Sequence, residues 1–162
     1  MRAVGLLIAL LLASLPACVS LERGGLFPAD RDTVHVSWLG NDTYFRQVEF
    51  ELTEQVVQEI LSRPGLHLTS REEAEILLEG RVTSVRQGVL SEDPSRTPNA
   101  RTTTLGVTIT VRDGRTGDVL AEHELDRTAD FVPDLDETLE TARVDVYRYL
   151  ARDIVRVLET EF

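Results

Sequence analysis

Three histidines and a single cysteine are the residues of this chain best suited to metal binding or nucleophilic chemistry. His35, His67 and His123 are at least 32 residues apart, and none forms the His-Glu-x-x-His pair that holds zinc on one helix face. Each lies in or beside a separate strand-like segment, where histidine is usually a structural residue. The sequence therefore predicts no metal site.

Cys18 is the remaining reactive candidate. It has no partner cysteine for an internal disulfide, and no nearby residue suggests the base that a nucleophilic thiol requires. It follows Leu15-Pro16-Ala17, and the four residues together resemble the bacterial lipobox, in which the chain is cut before a cysteine that is then acylated. We therefore interpret Cys18 as a lipidation site and as the first residue of the mature chain.

Residues 1–17 have the pattern of a signal peptide, because Arg2 precedes the apolar run Val4–Leu12 and small residues follow it. The run is shorter than the ~20 apolar residues of a membrane-spanning helix, so the predicted attachment is the lipid on Cys18. Val19 is not the aspartate that marks inner-membrane retention in many lipoproteins, which favours the outer membrane.

A group of acids near residue 130 could suggest calcium, but it lacks the loop register of a calcium hand. Its members are Asp126, Asp130, Asp134, Asp136 and Glu137. The sequence also contains no Gly-x-Ser-x-Gly elbow, phosphate loop or dinucleotide-binding turn. We expect a protein with no enzymatic activity, no catalytic residues and no cofactor.

The composition is acidic, which argues against a nucleic-acid partner. The formal net charge is −11, and it becomes −12 without residues 1–17, which contain one arginine and no acid. A surface of this sign repels phosphate backbones. All 17 basic residues are arginines, a bias to which we attach no functional meaning.

The mature chain is expected to divide into a lipidated tether at residues 18–32 and a single domain at residues 33–162. The tether contains Gly24-Gly25 and Pro28 and shows no hydrophobic periodicity. We therefore interpret it as the connection between the lipid on Cys18 and the folded domain.

Six periodic segments predict the secondary structure of the domain. In chain order they are a strand at Thr33–Leu39, a helix at about Phe45–Ser62, strands at Ile76–Val85, Leu105–Arg112 and Val119–Ala129, and a long helix that opens at Pro133. The first helix buries Val48, Leu52, Val56 and Ile60, with Phe45, Val57 and Leu61 widening the stripe. Leu66-His67-Leu68 is a candidate for a further short strand.

The connections carry specific turn signals. We expect a turn and helix cap at Asn41-Asp42-Thr43, a long polar loop at Gly88–Thr103, a hairpin at Asp113–Gly117 with positive φ at both glycines, and a capping box of Asp134 with Glu137. The order β-α-β-β-β-α predicts an α+β, two-layer sandwich, with two helices packed on one face of a small, mostly antiparallel or mixed sheet of about four strands.

Four short motifs recur in this order in one known family. They are Asn41-Asp42-Thr43, the helix start Val48-Glu49-Phe50-Glu51-Leu52-Thr53, the strand Glu73-Ala74-Glu75-Ile76-Leu77-Leu78-Glu79-Gly80-Arg81-Val82, and the hairpin Asp113-Gly114-Arg115-Thr116-Gly117-Asp118-Val119-Leu120. With the lipobox and the long last helix, they resemble the LPS-assembly lipoprotein (LptE) family across nearly the whole mature chain. Glu75 replaces the aspartate of the family's strand motif.

The resemblance implies a non-enzymatic role. Members of the family sit inside the large β-barrel lipopolysaccharide translocon of the outer membrane, help it to assemble, and contact lipopolysaccharide through basic side chains. This chain departs from the last feature because it is acidic. If it binds the anionic lipid, the expected contacts are basic residues in the long loop and at the hairpin: Arg96, Arg101, Arg112 and Arg115.

An alternative function belongs to another class. A periplasm-facing lipoprotein that scaffolds or regulates a different envelope machine, such as a cell-wall synthase activator or a secretion-channel component, has the same order of elements. The identity of the co-purifying protein distinguishes the two functions.

Overall fold

The two helices in the described part of the chain pack on one face of a mixed β-sheet. The computed structural model describes residues 31–92, 98–132 and 137–161. Its elements are β1 (Thr33–Val36), β2 (Gly40–Asn41), α1 (Val48–Leu61), β3 (His67–Leu68), β4 (Ile76–Glu92), β5 (Pro98–Asp113), β6 (Val119–Phe131) and α2 (Leu139–Glu161). At ~1.5 Å per residue, the 23 residues of α2 extend over about 35 Å.

The strands are ordered β3-β1-β4-β5-β6, and β2 pairs with β4 beyond the end of β1. β1 runs parallel to β3 and β4, whereas β4, β5 and β6 form an antiparallel meander. The predicted α+β class and the placement of both helices are therefore confirmed. Within the described residues the sheet has six strands in place of about four, because two short strands, β2 and β3, each of two residues, join it.

The core lies between the sheet and the helices. Val48, Leu52, Val56 and Ile60 of α1 are fully buried, as their four-residue spacing predicts. They meet the alternate residues of β4 and β5 that face the helices, together with the apolar stripe of α2: Ile76, Leu78, Val82, Leu105, Val107, Ile109, Val111, Val146, Tyr147, Leu150, Ile154 and Leu158.

The polar loop predicted at Gly88–Thr103 is wrong over most of its length. β4 continues to Glu92 and β5 begins at Pro98, with Gly88 paired to Thr102 and Val89 to Arg101. Each strand supplies the backbone partners of the other, so pairing continues past the point where the apolar alternation ends. Residues 93–97 lie outside the described part of the chain.

The last helix also begins later than its sequence suggests. Its first residue is Leu139, and Thr138 and Thr141 exchange hydrogen bonds between side-chain oxygens and backbone N–H groups, at 3.0 and 3.2 Å. Glu137 lies before the helix and accepts a hydrogen bond from the Val132 N–H at 2.8 Å. The predicted Asp134–Glu137 capping box is therefore wrong in its Glu137 member, and Asp134 lies outside the described residues.

The β5–β6 hairpin uses its two glycines for different purposes. Gly117 has a φ of 79°, as predicted, but Gly114 does not have a positive φ. A Cβ at Gly114 would overlap the carbonyl oxygen of Ala74, and the Gly114 N–H donates to Glu75 O at 2.8 Å. Gly114 is therefore explained by the close approach of two backbones.

Candidate functional site

The four arginines proposed as anion contacts do not form one cluster. Arg101 and Arg112 are eleven residues apart on β5, a separation of about 36 Å along the strand. Arg115 lies in the turn next to Arg112, at the same end of the sheet. Arg96 and Cys18 lie outside the described residues, so their predicted roles stay predictions.

Arg112 is already engaged within the fold. Its Nε lies 3.0 Å from Glu79 Oε2, and its Nη1 donates to Gly117 O at 3.2 Å. The other oxygen of Glu79 lies 3.2 Å from Arg71 Nη2, so one carboxylate holds two guanidinium groups. An anionic ligand would have to displace Glu79 to gain a bidentate contact with Arg112.

The turn beside Arg112 is ordered by a carboxylate. Asp113 Oδ1 accepts the N–H groups of Thr116 and Arg115 at 3.0 and 2.8 Å, and these bonds hold the pKa of Asp113 below its usual value. Arg115 is exposed and makes no ion pair within the described residues. Arg31 lies 3.4 Å from Asp113, which ties the start of the described chain to this end of the sheet.

Asp134 and Asp136 of the acid group lie outside the described residues, and the described histidines and acids do not assemble a metal centre. His35 donates from Nδ1 to Thr69 O at 3.2 Å, on the β3 side of the sheet, whereas His123 lies on β6. Within residues 31–92, 98–132 and 137–161, no group of three His, Cys, Asp or Glu side chains is arranged to bind a metal ion. In the same ranges no helix is long and apolar enough to cross a membrane.

An apolar groove, which the sequence did not predict, lies between the end of β1 and the outer flank of α1. We name it the aromatic groove and define it by its lining residues, Val36, Trp38, Phe50, Thr53, Glu54 and Val57, which enclose about 370 Å³. The Trp38 and Phe50 rings meet edge to face, with centroids 5.4 Å apart. Their exposed fractions are 72% and 53%, which is unusual for two large aromatic residues in contact.

A hydrogen bond between a side chain and the backbone joins the two sides of the aromatic groove. Thr53 is buried in α1, where its hydroxyl accepts the Leu39 N–H at 3.3 Å and donates to Glu49 O at 2.5 Å. Leu39 enters the core and is 4% exposed. Because successive residues of an extended chain point to opposite sides, Trp38 is directed outward over Phe50.

A polar loop precedes α1 and presents two more aromatic residues. Asn41 Nδ2 donates to Phe45 O and to Glu49 Oε2 at 2.6 and 2.7 Å, and Asn41 Oδ1 accepts the Thr43 N–H and hydroxyl. The predicted turn is therefore present, but the predicted helix cap is not. The N-cap is Gln47, with a φ of 70° and no capping side-chain bond. Tyr44 is fully exposed and Phe45 is 39% exposed.

The sequence contained a weak signal for the aromatic groove. Phe50 is two positions from both Val48 and Leu52, so it falls about 200° around the helix from the buried stripe. The stripe predicted from the sequence is wrong at Phe45 and Leu61, which are both exposed. A large aromatic residue off the stripe of an amphipathic helix was the available indication, but it did not identify Trp38 as its partner.

Solved structures of similar fold come from several bacteria. A hypothetical protein from Chlamydia trachomatis has a TM-score of 0.58 at 15% identity, over 80% of this chain and 96% of that one. A minor lipoprotein from Acinetobacter baumannii gives 0.51 at 19% identity, over 82% and 93%. The PelC dodecamer from Paraburkholderia phytofirmans gives 0.50 at 16% identity, over 74% and 84%. These likenesses show the fold alone.

No curated protein sequence matches the chain. The model of one family does, and its description is lipopolysaccharide-assembly, LptE. The match extends over residues 31–158, from the residues before β1 into the last turn of α2, and so includes the six described strands, α1, most of α2 and the aromatic groove. The chain therefore belongs to the LptE family of lipopolysaccharide-assembly proteins.

Proposed function

We propose that this chain is an outer-membrane lipoprotein, anchored through Cys18, that serves as a non-enzymatic assembly and plug subunit of the β-barrel lipopolysaccharide translocon. The observation that carries this proposal is the family match over residues 31–158. The lipobox-like sequence before Cys18 supports the anchor, and the exposed aromatic residues support a protein partner.

Direct contact with lipopolysaccharide is a separate part of the proposal. Arg101 lies toward one end of β5, and Arg112 and Arg115 lie at the other, so one anionic group cannot contact all three. Charge reversal of Arg96, Arg101, Arg112 and Arg115 together is expected to abolish lipopolysaccharide binding if these residues carry it. Unchanged binding would contradict their role.

The test of the partner is a pull-down of the full-length lipoprotein from outer membranes in mild detergent. We expect a large β-barrel protein to co-purify in stoichiometric amount. Cys18→Ser is the matched control for the anchor, and it should lose acyl labelling and signal cleavage at this position. Recovery of the bare lipoprotein, or normal membrane attachment of Cys18→Ser, would contradict the corresponding part of the proposal.

A second candidate function is support of another envelope machine, as a scaffold or regulator facing the periplasm. The observation that favours it is the shared fold with PelC, which forms a dodecamer. The same pull-down would then recover a cell-wall synthase, a secretion-channel component or a homo-oligomer of the chain, without the barrel protein.

A further inference from the structure

We propose that the aromatic groove is the docking site for a polypeptide segment of the partner protein, and that this segment carries an apolar anchor next to an arginine or lysine. The inference rests on the proposed function to the extent that the partner is the barrel protein. It adds the surface that makes the contact and the chemistry of the segment that fits it.

The walls and size of the aromatic groove suit one inserted side chain. Trp38, Phe50, Val36 and Val57 form apolar walls around about 370 Å³, a volume within the usual range of ligand sites. Exposed tryptophan and phenylalanine residues are enriched in the centres of protein interfaces, where they bury a large area with few rotatable bonds. The groove therefore has the features of an interface centre without an occupant from the described residues.

The charge of the lining distinguishes between possible occupants. α1 carries four glutamates, and three of them have partners: Glu49 binds Asn41, Glu51 lies 3.5 Å from Arg143, and Glu59 lies 2.7 Å from Arg63. Glu54 lines the aromatic groove and makes no ion pair or hydrogen bond within the described residues. Covering it with an uncharged surface would cost desolvation energy, whereas a guanidinium or ammonium group would compensate for it.

Anionic lipids fit this lining poorly. The phosphates of lipopolysaccharide would be brought near Glu54, on a mature chain with a net charge of −12. A bare acyl chain would satisfy the apolar walls but would desolvate the Glu54 carboxylate without a partner. A polypeptide that carries both an apolar and a basic side chain satisfies both parts of the lining.

The chain's own N-terminal segment also contains apolar and basic residues, and its nearest aromatic residue does not reach the aromatic groove. Arg31 is held by Asp113, at the opposite end of β1 from the aromatic groove. Five residues of strand separate Arg31 from Val36, about 16 Å, whereas Phe27 is four residues before Arg31 and extends at most about 14 Å from it. Leu21 is ten residues before Arg31 and could extend about 35 Å, but it would bring Glu22 next to Glu54, so an external segment fits the lining better.

Site-specific photo-cross-linking of the full-length lipoprotein in cells tests the proposal. p-Benzoylphenylalanine replaces Phe50 in the aromatic groove, and in the matched control it replaces Tyr149, a 43% exposed aromatic residue on α2. We expect position 50, and not position 149, to cross-link to one protein. Mass spectrometry should place the link on an apolar residue that is close in sequence to an arginine or lysine.

Variants of Glu54 test the charge argument. Glu54→Gln should lower the cross-link yield about threefold or more, and Glu54→Arg should abolish it, because the basic residue of the segment loses its partner. Neither change should alter the thermal unfolding temperature, since the side chain is exposed. Equal yields from the unsubstituted protein and from both Glu54 variants would overturn the proposal, as would links to lipopolysaccharide, to residues 19–30, to a second copy, or to nothing.

The outcomes also separate this inference from the proposed function. A cross-link to a basic, apolar segment of a protein other than the barrel would support the docking site and overturn the translocon role. A barrel protein that co-purifies in full amount with the Glu54→Arg, Trp38→Ser double variant would support the translocon role and overturn the docking site.

Discussion

The two flanks of α1, a helix of 14 residues, differ in exposure: one is closed by contacts with α2, and the other is open to solvent. On the flank toward α2, Glu51, Arg143 and Tyr147 form a closed polar contact, which we name the α1–α2 contact. Arg143 donates to the Tyr147 hydroxyl at 2.9 and 3.1 Å, and Tyr147 is only 2% exposed. On the other flank, Phe50 contacts Trp38 edge to face, and both line the open aromatic groove together with Val57.

The difference shows which surfaces the fold itself requires. In the α1–α2 contact, a buried polar group is fully paired, because an unpaired one would cost stability. In the aromatic groove, large apolar side chains remain exposed, although burial of each would be worth about 1.5–3 kcal/mol. An area of that kind is available to another molecule, which is why we place the candidate site there.

The largest expected effect comes from the residue between the two flanks. Leu52 is fully buried beneath α1, so Leu52→Ala should lower the free energy of unfolding by about 2–5 kcal/mol through lost burial and a cavity. Urea denaturation followed by circular dichroism measures it. Leu61→Ala is the matched control on the same helix, because Leu61 is 62% exposed and its loss should cost less than about 0.5 kcal/mol. Equal losses would contradict the assignment of the two faces.

The next effect is confined to the α1–α2 contact and appears in alkaline solution. Burial, with a smaller contribution from Glu51, raises the pKa of Tyr147 to about 12 against the opposing effect of Arg143. Between pH 10 and 12 the unfolded chain loses this proton while the folded chain keeps it, so stability falls as pH rises. The loss should reach about 2–3 kcal/mol at pH 12.

The absence of lysine from the chain makes this alkaline range easy to interpret. Tyr147→Phe is the control, and it should remove most of the decline between pH 10 and 12, although it also removes the acceptor of Arg143. The measurement is a series of urea denaturation curves at increasing pH. A wild-type free energy of unfolding that does not change over this interval would show that Tyr147 is not held neutral by burial.

These two regions also show how far the sequence could be interpreted. Helical spacing was sufficient to predict the buried face of α1, because Val48, Leu52, Val56 and Ile60 repeat every four residues. Two-residue alternation predicted the paired cores of β4 and β5 but not their extension to Glu92 and Pro98, which depends on backbone partners in the other strand. Neither spacing carries information about contacts between distant segments.

The aromatic groove was not predicted for that reason. Its geometry depends on the Thr53 hydroxyl and the Leu39 N–H, which are 14 residues apart, and no local pattern links them. The arginines show the same limit of sequence patterns, because their positions in the fold could not be predicted. Their residue type was known, but only the fold shows that Arg101 and Arg112 occupy opposite ends of β5 and that Arg112 is paired with Glu79.

A smaller effect should follow from removing the bond that positions Trp38. Thr53→Val keeps the shape of the side chain but leaves the Leu39 N–H without its acceptor in a buried setting, at a cost of about 1–2 kcal/mol. The same change should lower the position-50 cross-link, because the β1 end of the aromatic groove loosens. Thr53→Ser keeps the hydroxyl and should preserve the cross-link. A Thr53→Val protein with unchanged stability would show that this bond contributes nothing to the groove.

The smallest effect on stability is expected at Trp38. A variant at this position therefore tests the role of the open flank in binding separately from its role in folding. Trp38 is 72% exposed and meets Phe50 only edge to face, so Trp38→Ser should change the free energy of unfolding by less than about 1 kcal/mol. As an aromatic wall of an interface, however, it should be worth about 2 kcal/mol or more of binding, roughly a thirtyfold loss of affinity. Tyr149→Ser on α2 is the control for binding: it should cost at least as much stability as Trp38→Ser, because Tyr149 is only 43% exposed, but it should leave partner binding unchanged. A large loss of stability with intact partner binding would assign Trp38 to the core. Both flanks of α1 would then serve the stability of the fold, and neither would be a binding surface.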